Sequence, residues 1–258
     1  MALTNKTIAS TYGDILQTDN SGSGRTASGT TIKDGLGQST ALTLGQNKLH
    51  IKPSTDQTDA VVIETSGGTD LLVVDSTNSA IKTGTTQTYA NTQVQRFGVF
   101  DTGAVAGTHY PMFLGSFDGA GGTTHSTAMG TGGDPDDTYT VSSASDNLVA
   151  CIWYIPVAIT IDEVRVLAGG EAVDAINFHL KSFTMATGTS SGAGDLSSGA
   201  LLAHNGSTLT VGADRITTTT LTVDSANVAA DKVVLGFFEN TDSTTDLTAQ
   251  LIVKYHYQ

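Results

Sequence analysis

The sequence predicts an all-β protein in two modules, on three observations. Charged residues make up only 14% of its 258 residues, against about 25% in an average soluble domain, and Thr, Ser and 29 Gly take their place. Thr favours strands because its branched Cβ fits a pleated surface, while Gly and Asn serve the turns between them. Apolar residues alternate with polar ones in short segments, as in Ile176, Phe178 and Leu180, and only Leu221 to Ala230 has a pattern suited to a helical turn.

Aromatic content and charge both change near residue 95. Tyr12 and Tyr89 are the only aromatic residues before it, whereas Trp153, all eight Phe and five Tyr follow. Residues 1–95 carry six Lys or Arg against eight acids, a balance of −2, and residues 96–258 carry six against seventeen, a balance of −11. We therefore expect modules at 1–95 and 96–258.

In the first module, strand-like pieces of a few residues recur between glycines: Thr30 to Ile32, Ala41 to Leu44, Lys48 to Ile51, Ala60 to Ile63 and Asp70 to Val74, with Asp34-Gly35 as a hairpin-type turn. So few aromatics give one copy little apolar area to offset an ordering cost of about 1 to 2 kcal/mol per residue. The β-branched runs argue against disorder, so a core shared between copies is expected. Leu42, Leu44, Leu49, Ile51, Val61, Ile63, Leu71 and Val73 are the candidate contacts for such an interface or for docking onto a partner.

The second module reads as self-sufficient. Strands are expected at Met112 to Phe117, Thr138 to Ser142, Leu148 to Ile155, Ile159 to Leu167, Ile176 to Thr184, Ala200 to Ala203, Ile216 to Val223, Lys232 to Glu239 and Leu247 to Tyr257. That number of strands, separated by Gly, Ser and Asp turns, points to a β-sandwich of jelly-roll type. The apolar run Leu148 to Ile159 is short for a membrane span and contains Pro156, so it is read as core.

A net charge of −13 with scattered Lys and Arg argues against nucleic acid and anionic membranes as partners. The first twelve residues lack an apolar stretch of signal-peptide type, which leads us to expect synthesis in a cytoplasm without export. Cys151, the sole cysteine, is expected as a buried small hydrophobe. The sequons at Asn5 and Asn205 are read as chance.

Chemistry-bearing patterns are sparse. Gly188-Thr189-Ser190-Ser191-Gly192, followed by Asp195 and His204, matches the serine-hydrolase elbow in letters, but it lies in a Gly- and Ser-rich run without the strand-to-helix context such a nucleophile needs. Carboxylate pairs for glycoside cleavage would draw on Glu64, Glu163, Glu171 or Glu239, with Trp153, the sole Trp, placed in the core instead of a sugar site. Asp134-Pro135-Asp136-Asp137 lacks calcium-loop spacing and is read as a solvated loop. The six His show no metal-ligand spacing, and His179 and His256 are read as packing or polar-face residues. Gly35-x-Gly37 is no phosphate loop. The Gly-rich stretch 118–137 is expected to be a long functional or mobile loop. No catalytic activity, cofactor or metal is expected.

The string Thr69-Asp70-Leu71-Leu72-Val73-Val74-Asp75-Ser76-Thr77-Asn78-Ser79-Ala80-Ile81-Lys82-Thr83-Gly84 resembles a unit of trimeric bacteriophage fibre and tail proteins. Tyr12 to Asn20 with Lys33-Asp34-Gly35 and Ala41 to Leu44 is similar to an N-terminal module of structural proteins from phages of aquatic bacteria. Ile159 to Val166, Asn177 to Leu180 and Lys254 to Tyr257 resemble their terminal β domain. The resemblance implies a homotrimeric protein of the outer virion surface, attached through the N-terminal module to a major capsid protein or another virion structural protein. A single Asp-x-Thr-Asn unit, without an array, points to a head decoration or cement protein before a short tail fibre or receptor-binding tip, for which a host surface glycan or receptor would be the further partner. A polysaccharide hydrolase spike comes third.

Overall fold

A computed structural model of the chain describes residues 17–18, 27–34, 36–84, 88–102, 105–115, 127–141, 146–170, 173–188, 191–241 and 247–258. The chain divides into two compact units, 1–90 and 91–258. The division falls before residue 95 because Thr92 to Gln95 already pair with Val253 to His256 in the second unit.

Among the described residues, the first unit holds two four-stranded antiparallel meanders. One joins β1 (Gln17–Thr18), β2 (Thr30–Lys33), β3 (Ser39–Leu44) and β4 (Leu49–Ile51) in sequence order. Asp34 closes the β2–β3 turn, its Oδ1 accepting from the amides of Leu36 at 3.0 Å and Gln38 at 2.8 Å. Gly29 is required beside this sheet, because its φ is +94° and a Cβ there would sit 2.7 Å from the Thr43 methyl. The other sheet joins β5 (Val61–Glu64), β6 (Asp70–Asp75), β7 (Ala80–Thr83) and β8 (Thr88–Tyr89).

The second unit is an all-β sandwich with jelly-roll-like crossings between its sheets. In chain order its strands are β9 (Thr92–Thr102), β10 (His109–Pro111), β11 (Phe113–Leu114), β12 (Trp153–Ile155), β13 (Ile159–Gly170), β14 (Asp174–Met185) and β15 (Leu196–His204). There follow β16 (Leu209–Val211), β17 (Arg215–Thr220), β18 (Thr222–Val223), β19 (Asn227–Val228), β20 (Lys232–Asn240) and β21 (Leu247–Tyr257). One sheet runs β10-β20-β14-β15-β18, with β12 on β20 and β16 on β14; the other runs β11-β9-β21-β13-β17, with β19 on β13. The inner faces meet through alternate residues: Phe97, Val164, Val166, Leu251 and Val253 from one sheet, Ile176, Phe178, Leu180, Val234 and Phe238 from the other. Gly236 lets the Phe97 ring reach the opposite sheet, since a Cβ there would lie 3.0 Å from it.

Three sequence expectations are corrected here. The run Leu148 to Ile155 is not one strand: a 3-10 helix, Asp146–Cys151, precedes the short β12, so Leu148 and Cys151 turn inward together while Val149 is left exposed. Leu221 to Ala230 is extended, contributing β18 and β19, and hosts no helical turn. Of Thr138 to Ser142, the described residues 138–141 form an isolated antiparallel bridge, Tyr139 to Leu196, beside β15 in place of a full strand, and Ser142 lies outside the described residues. Among the described residues, no helix is long and apolar enough to cross a membrane.

The two sheets of the sandwich differ in cover. β13 and β21 alternate buried and accessible residues, as strands with one solvated face do, whereas β14 and β20 are buried almost throughout. A second apolar cluster explains this: Met129, Leu148 and Cys151 lie against Phe183, Leu196, Val233, Leu235 and Phe237 on the outer face of the first sheet.

Candidate functional site

Register places the candidate contacts of the first unit on definite faces, because directly opposed residues of an antiparallel pair share a side. Leu42 opposes Ile51 and Leu44 opposes Leu49, so these four form one apolar face, with Leu49 60% and Ile51 38% exposed. Thr43 and His50 point to the other side, where Thr31 and Thr43 hydroxyls meet at 3.3 Å. An open groove of about 720 Å³ there is bordered by Thr31, Thr43, His50, Lys52, Thr55 and Gln57.

In the neighbouring meander Val61 opposes Val74, which opposes Ile81, while Ile63 opposes Leu72. Val61, Ile63, Leu72, Val74 and Ile81 therefore make a second apolar face, with Ile63 53% and Ile81 51% exposed. Leu71 and Val73 fall on its reverse. Val73 is buried there, and Leu71 is exposed near the bulge that ends β5. Sequence spacing alone mixed the two sides and passed over Leu72, Val74 and Ile81.

The fibre-like string forms the β6–β7 hairpin. Asp75 holds its turn: Oδ1 accepts from the Asn78 amide at 2.9 Å, and Oδ2 accepts from Asn78 Nδ2 at 2.8 Å and from Lys82 Nζ at 2.7 Å. These bonds, Asn78 first, bring the Asp75 carboxyl down to about 2, and the same pairing raises Lys82. Ser79 takes a left-handed φ of 53° to complete the turn.

In the second unit the chemistry-bearing residues are distributed as follows. The β14–β15 hairpin places Met185 opposite Leu196 at one end and His179 opposite His204 at the other. The Gly188 to Gly192 loop is thus some eight strand residues from His204, about 25 Å. Thr189 and Ser190 lie outside the described residues. Asp195 accepts from the Val141 amide at 2.7 Å, and His204 Nδ1 pairs with Asp224 at 2.7 Å. Trp153 is in the sandwich core, edge-on to Phe97 at 6.4 Å and tilted on Tyr255 at 4.8 Å. Glu163 pairs with Arg165 at 3.0 Å on the surface. Glu239 is buried and accepts from Asn177 Nδ2 at 2.8 Å, while Glu171 is outside the described residues. His256 pairs with Asp162 at 2.9 Å. Asn205 is structural, its Oδ1 accepting from the Phe178 amide at 2.6 Å and its Nδ2 donating to the Ile176 carbonyl at 3.0 Å. Burial pushes the Cys151 thiol up to about 12. Among the described residues, no three His, Cys, Asp or Glu side chains converge as metal ligands.

Asp134, Asp136 and Asp137 are exposed in a loop, as the sequence suggested, and that loop belongs to a strap, residues 127–141, laid over the outer face of the β10-β20-β14-β15 sheet. Its ends are stitched by backbone bonds, His109 with Met129 and Gly130 at 2.9 and 3.0 Å, and Tyr139 with Leu196 at 2.9 and 2.8 Å. Its middle is held by side chains projecting from the sheet. Lys181 Nζ donates to the Pro135 carbonyl and pairs with Asp137 at 2.6 Å. His109 Nε2 lies 2.9 Å from the Gly132 carbonyl, and His179 Nε2 lies 3.3 Å from Asp134 Oδ1. His179 was read only as a packing or polar-face residue; the available signal for the second cover was the unbroken apolar run of β20, which only a doubly covered strand tolerates. Of the Gly-rich stretch 118–137, residues 118–126 lie outside the described residues.

No family model matches the chain, and no curated protein matches it. Among solved structures, a chain from the structure of infectious bursal disease virus, Gx strain, matches with a TM-score of 0.26 at 8% identity. The match covers 83% of this chain and 38% of that one, a likeness too slight to carry fold or role from one to the other.

Proposed function

We propose that the chain is a non-enzymatic structural protein of a bacteriophage outer surface, self-associated as a homotrimer through its first unit and carrying its sandwich outward. The observation behind this reading is the pair of uncovered apolar faces, Leu42, Leu44, Leu49 and Ile51 on one sheet and Val61, Ile63, Leu72, Val74 and Ile81 on the other. Side chains of this kind gain about 25 cal/mol per Å² when covered, and half-exposed apolar residues on both sheets are more than an isolated four-stranded sheet needs. Three-fold assembly and the virion setting come from the resemblance of residues 69–84 to trimeric fibre units. A head decoration or cement role is preferred because the resemblance contains one such unit and no array; a short tail fibre or receptor-binding tip is the second reading, favoured by that same hairpin.

Light scattering on the intact chain tests the assembly: a mass about three times 26.5 kDa is expected, and a monomer at micromolar concentration would defeat the proposal. Replacing Ile63 and Ile81 by Lys should return the mass to that of one chain with an unchanged far-ultraviolet spectrum. Attachment to stripped particles should follow the first unit and survive about 1 M salt, where the Debye length is ~3 Å and exposed charge attraction is removed. Copy number per particle separates hundreds of decoration trimers from a few fibres.

A further inference from the structure

The strap over the sandwich rests on two buried histidines whose hydrogen bonds define one protonation state. His109 is fully buried and His179 is 4% exposed, with their rings edge to face at 5.0 Å. His109 Nε2 faces a carbonyl and His179 Nε2 faces a carboxylate, both acceptors, so each ring carries its proton on Nε2. Nδ1 of each ring is then a bare lone pair, and neither buried Nδ1 has a hydrogen-bond partner among the described residues. The arrangement is complete while the rings are neutral. A second proton would have to enter on Nδ1, creating a charged donor with nothing to receive it, which costs far more when buried than a bare lone pair.

The surrounding charges add to this. His179 is stacked at 6.4 Å on His204, which is tied to Asp224, and Lys181 projects from the same strand beside it with Asp137 as its partner. Glu239 lies 4.0 Å from His109, on the Nε2 side that already bears hydrogen. Among the described residues Asp134 is the group that favours a charged His179, and it too sits on the Nε2 side. Burial, followed by His109, holds the His179 ring down to about 4.

We propose that the strap is an acid-released latch: protonation of the buried His179, packed edge to face on His109, lifts residues 129–137 off the sheet and uncovers the apolar cluster that Met129 joins, which includes Phe183, Leu235 and Phe237. The geometry suits a latch, not general unfolding, because the middle of the strap is held by side chains while the sandwich core lies on the opposite face of the same sheet. It also leaves almost no slack. Gly199 donates its amide to the Asp137 carbonyl at 2.9 Å, and a Cβ at Gly199 would meet the Asp137 Cα at 2.7 Å. The inference is independent of the quaternary reading above.

Cys151 reports the latch, since it shares the covered cluster with Met129 of the strap. Its reaction with 4,4′-dithiodipyridine in the intact chain, taken relative to glutathione at the same pH, should rise at least tenfold between about pH 7 and pH 4.5 while the near-ultraviolet spectrum of Trp153 is kept. In His109→Gln/His179→Gln, whose amides still donate to the strap but take up no proton, reactivity should stay flat. Gly199→Val, whose side chain would meet the Asp137 backbone and the Lys181 and Phe183 side chains but neither histidine, should open the strap at neutral pH. A wild-type rate that stays flat until the whole fold is lost, or a Gln variant that opens like the wild type, overturns the proposal. Should the Gln variant not fold, nitrogen-15 spectra of the wild-type histidines decide: Nδ1–H tautomers at neutral pH, or strap amides that stay protected in acid, overturn it equally.

Discussion

Two apolar runs that look alike in sequence, Leu71 to Val74 in β6 and Val233 to Phe238 in β20, are treated differently by the two halves of the molecule. β20 is buried on both sides, by the second sheet of the sandwich within and by the strap and 3-10 helix without. β6 has one side settled around Val73 and the Asp75–Lys82 pair, while Leu72 and Val74 on the other side lie in a face whose Ile63 and Ile81 are half exposed. The second unit thus supplies its own cover twice over, and the first leaves apolar side chains exposed among the described residues. An apolar run states that burial is required without stating which chain provides it.

The sharpest test of this contrast is to truncate one side chain in each half. Phe237→Ala should cost about 3 to 5 kcal/mol in urea unfolding, since it empties a site packed on every side. Ile81→Ala, measured where the chain is dilute enough to be monomeric, should cost less than about 1 kcal/mol, because half of that side chain is already in water. Equal costs would mean that the first unit is as well covered as the second.

Acid separates the halves next. His179 has its folded value near 4, below its ordinary 6.5, so its contribution is fully present above 6.5 and is lost as the pH falls from there toward 4. That linkage amounts to about 3 kcal/mol and belongs to the second unit alone. Denaturant midpoints followed through Trp153 should fall across this window, and His179→Gln should flatten the fall.

Residues 91–258 alone should melt cooperatively, within a few degrees of the intact chain, because both apolar clusters of the sandwich are internal to them. A fragment without a thermal transition would show that the first unit contributes to the sandwich after all.

The smallest effect is expected from Asp75. Its folded value near 2 lies below its ordinary 3.8, so its stabilisation of the β6–β7 turn is present above 3.8 and fades as the pH falls toward 2. Asp75→Asn should remove this shallow acid dependence and leave the His179 window unchanged, which amide exchange at Asn78 would resolve.

Much of the fold was legible before any coordinates. Alternation marked Ile176, Phe178 and Leu180 as one inward face, and β14 carries them so. The sequence even holds the bulge in β13: apolar positions run Ile159, Ile161, then Val164 and Val166, and that change of parity is where the register slips around Asp162. The hairpin at 70–83 lies on the string that resembles a unit of trimeric fibre proteins, and Asp75 and Asn78 hold its turn. These features are local, set by the period of two along a strand and by what a turn demands of its residues, and a chain reports them wherever it folds.

What only the tertiary structure decided is which face meets what. Leu71 and Val73 share a side that Val61 and Ile63 do not, since a side is assigned by register with the neighbouring strand and not by spacing along one strand. His179 and Lys181 alternate as solvated residues do, yet they are buried, because a segment about 45 residues upstream lies down across them and supplies Asp134 and Asp137 as partners. The sequence determined that this protein is all-β and where its long strands run; cover came from contacts distant in sequence, because the free energy of burying a face depends on the surface that arrives to exclude water, and no residue encodes that surface by itself.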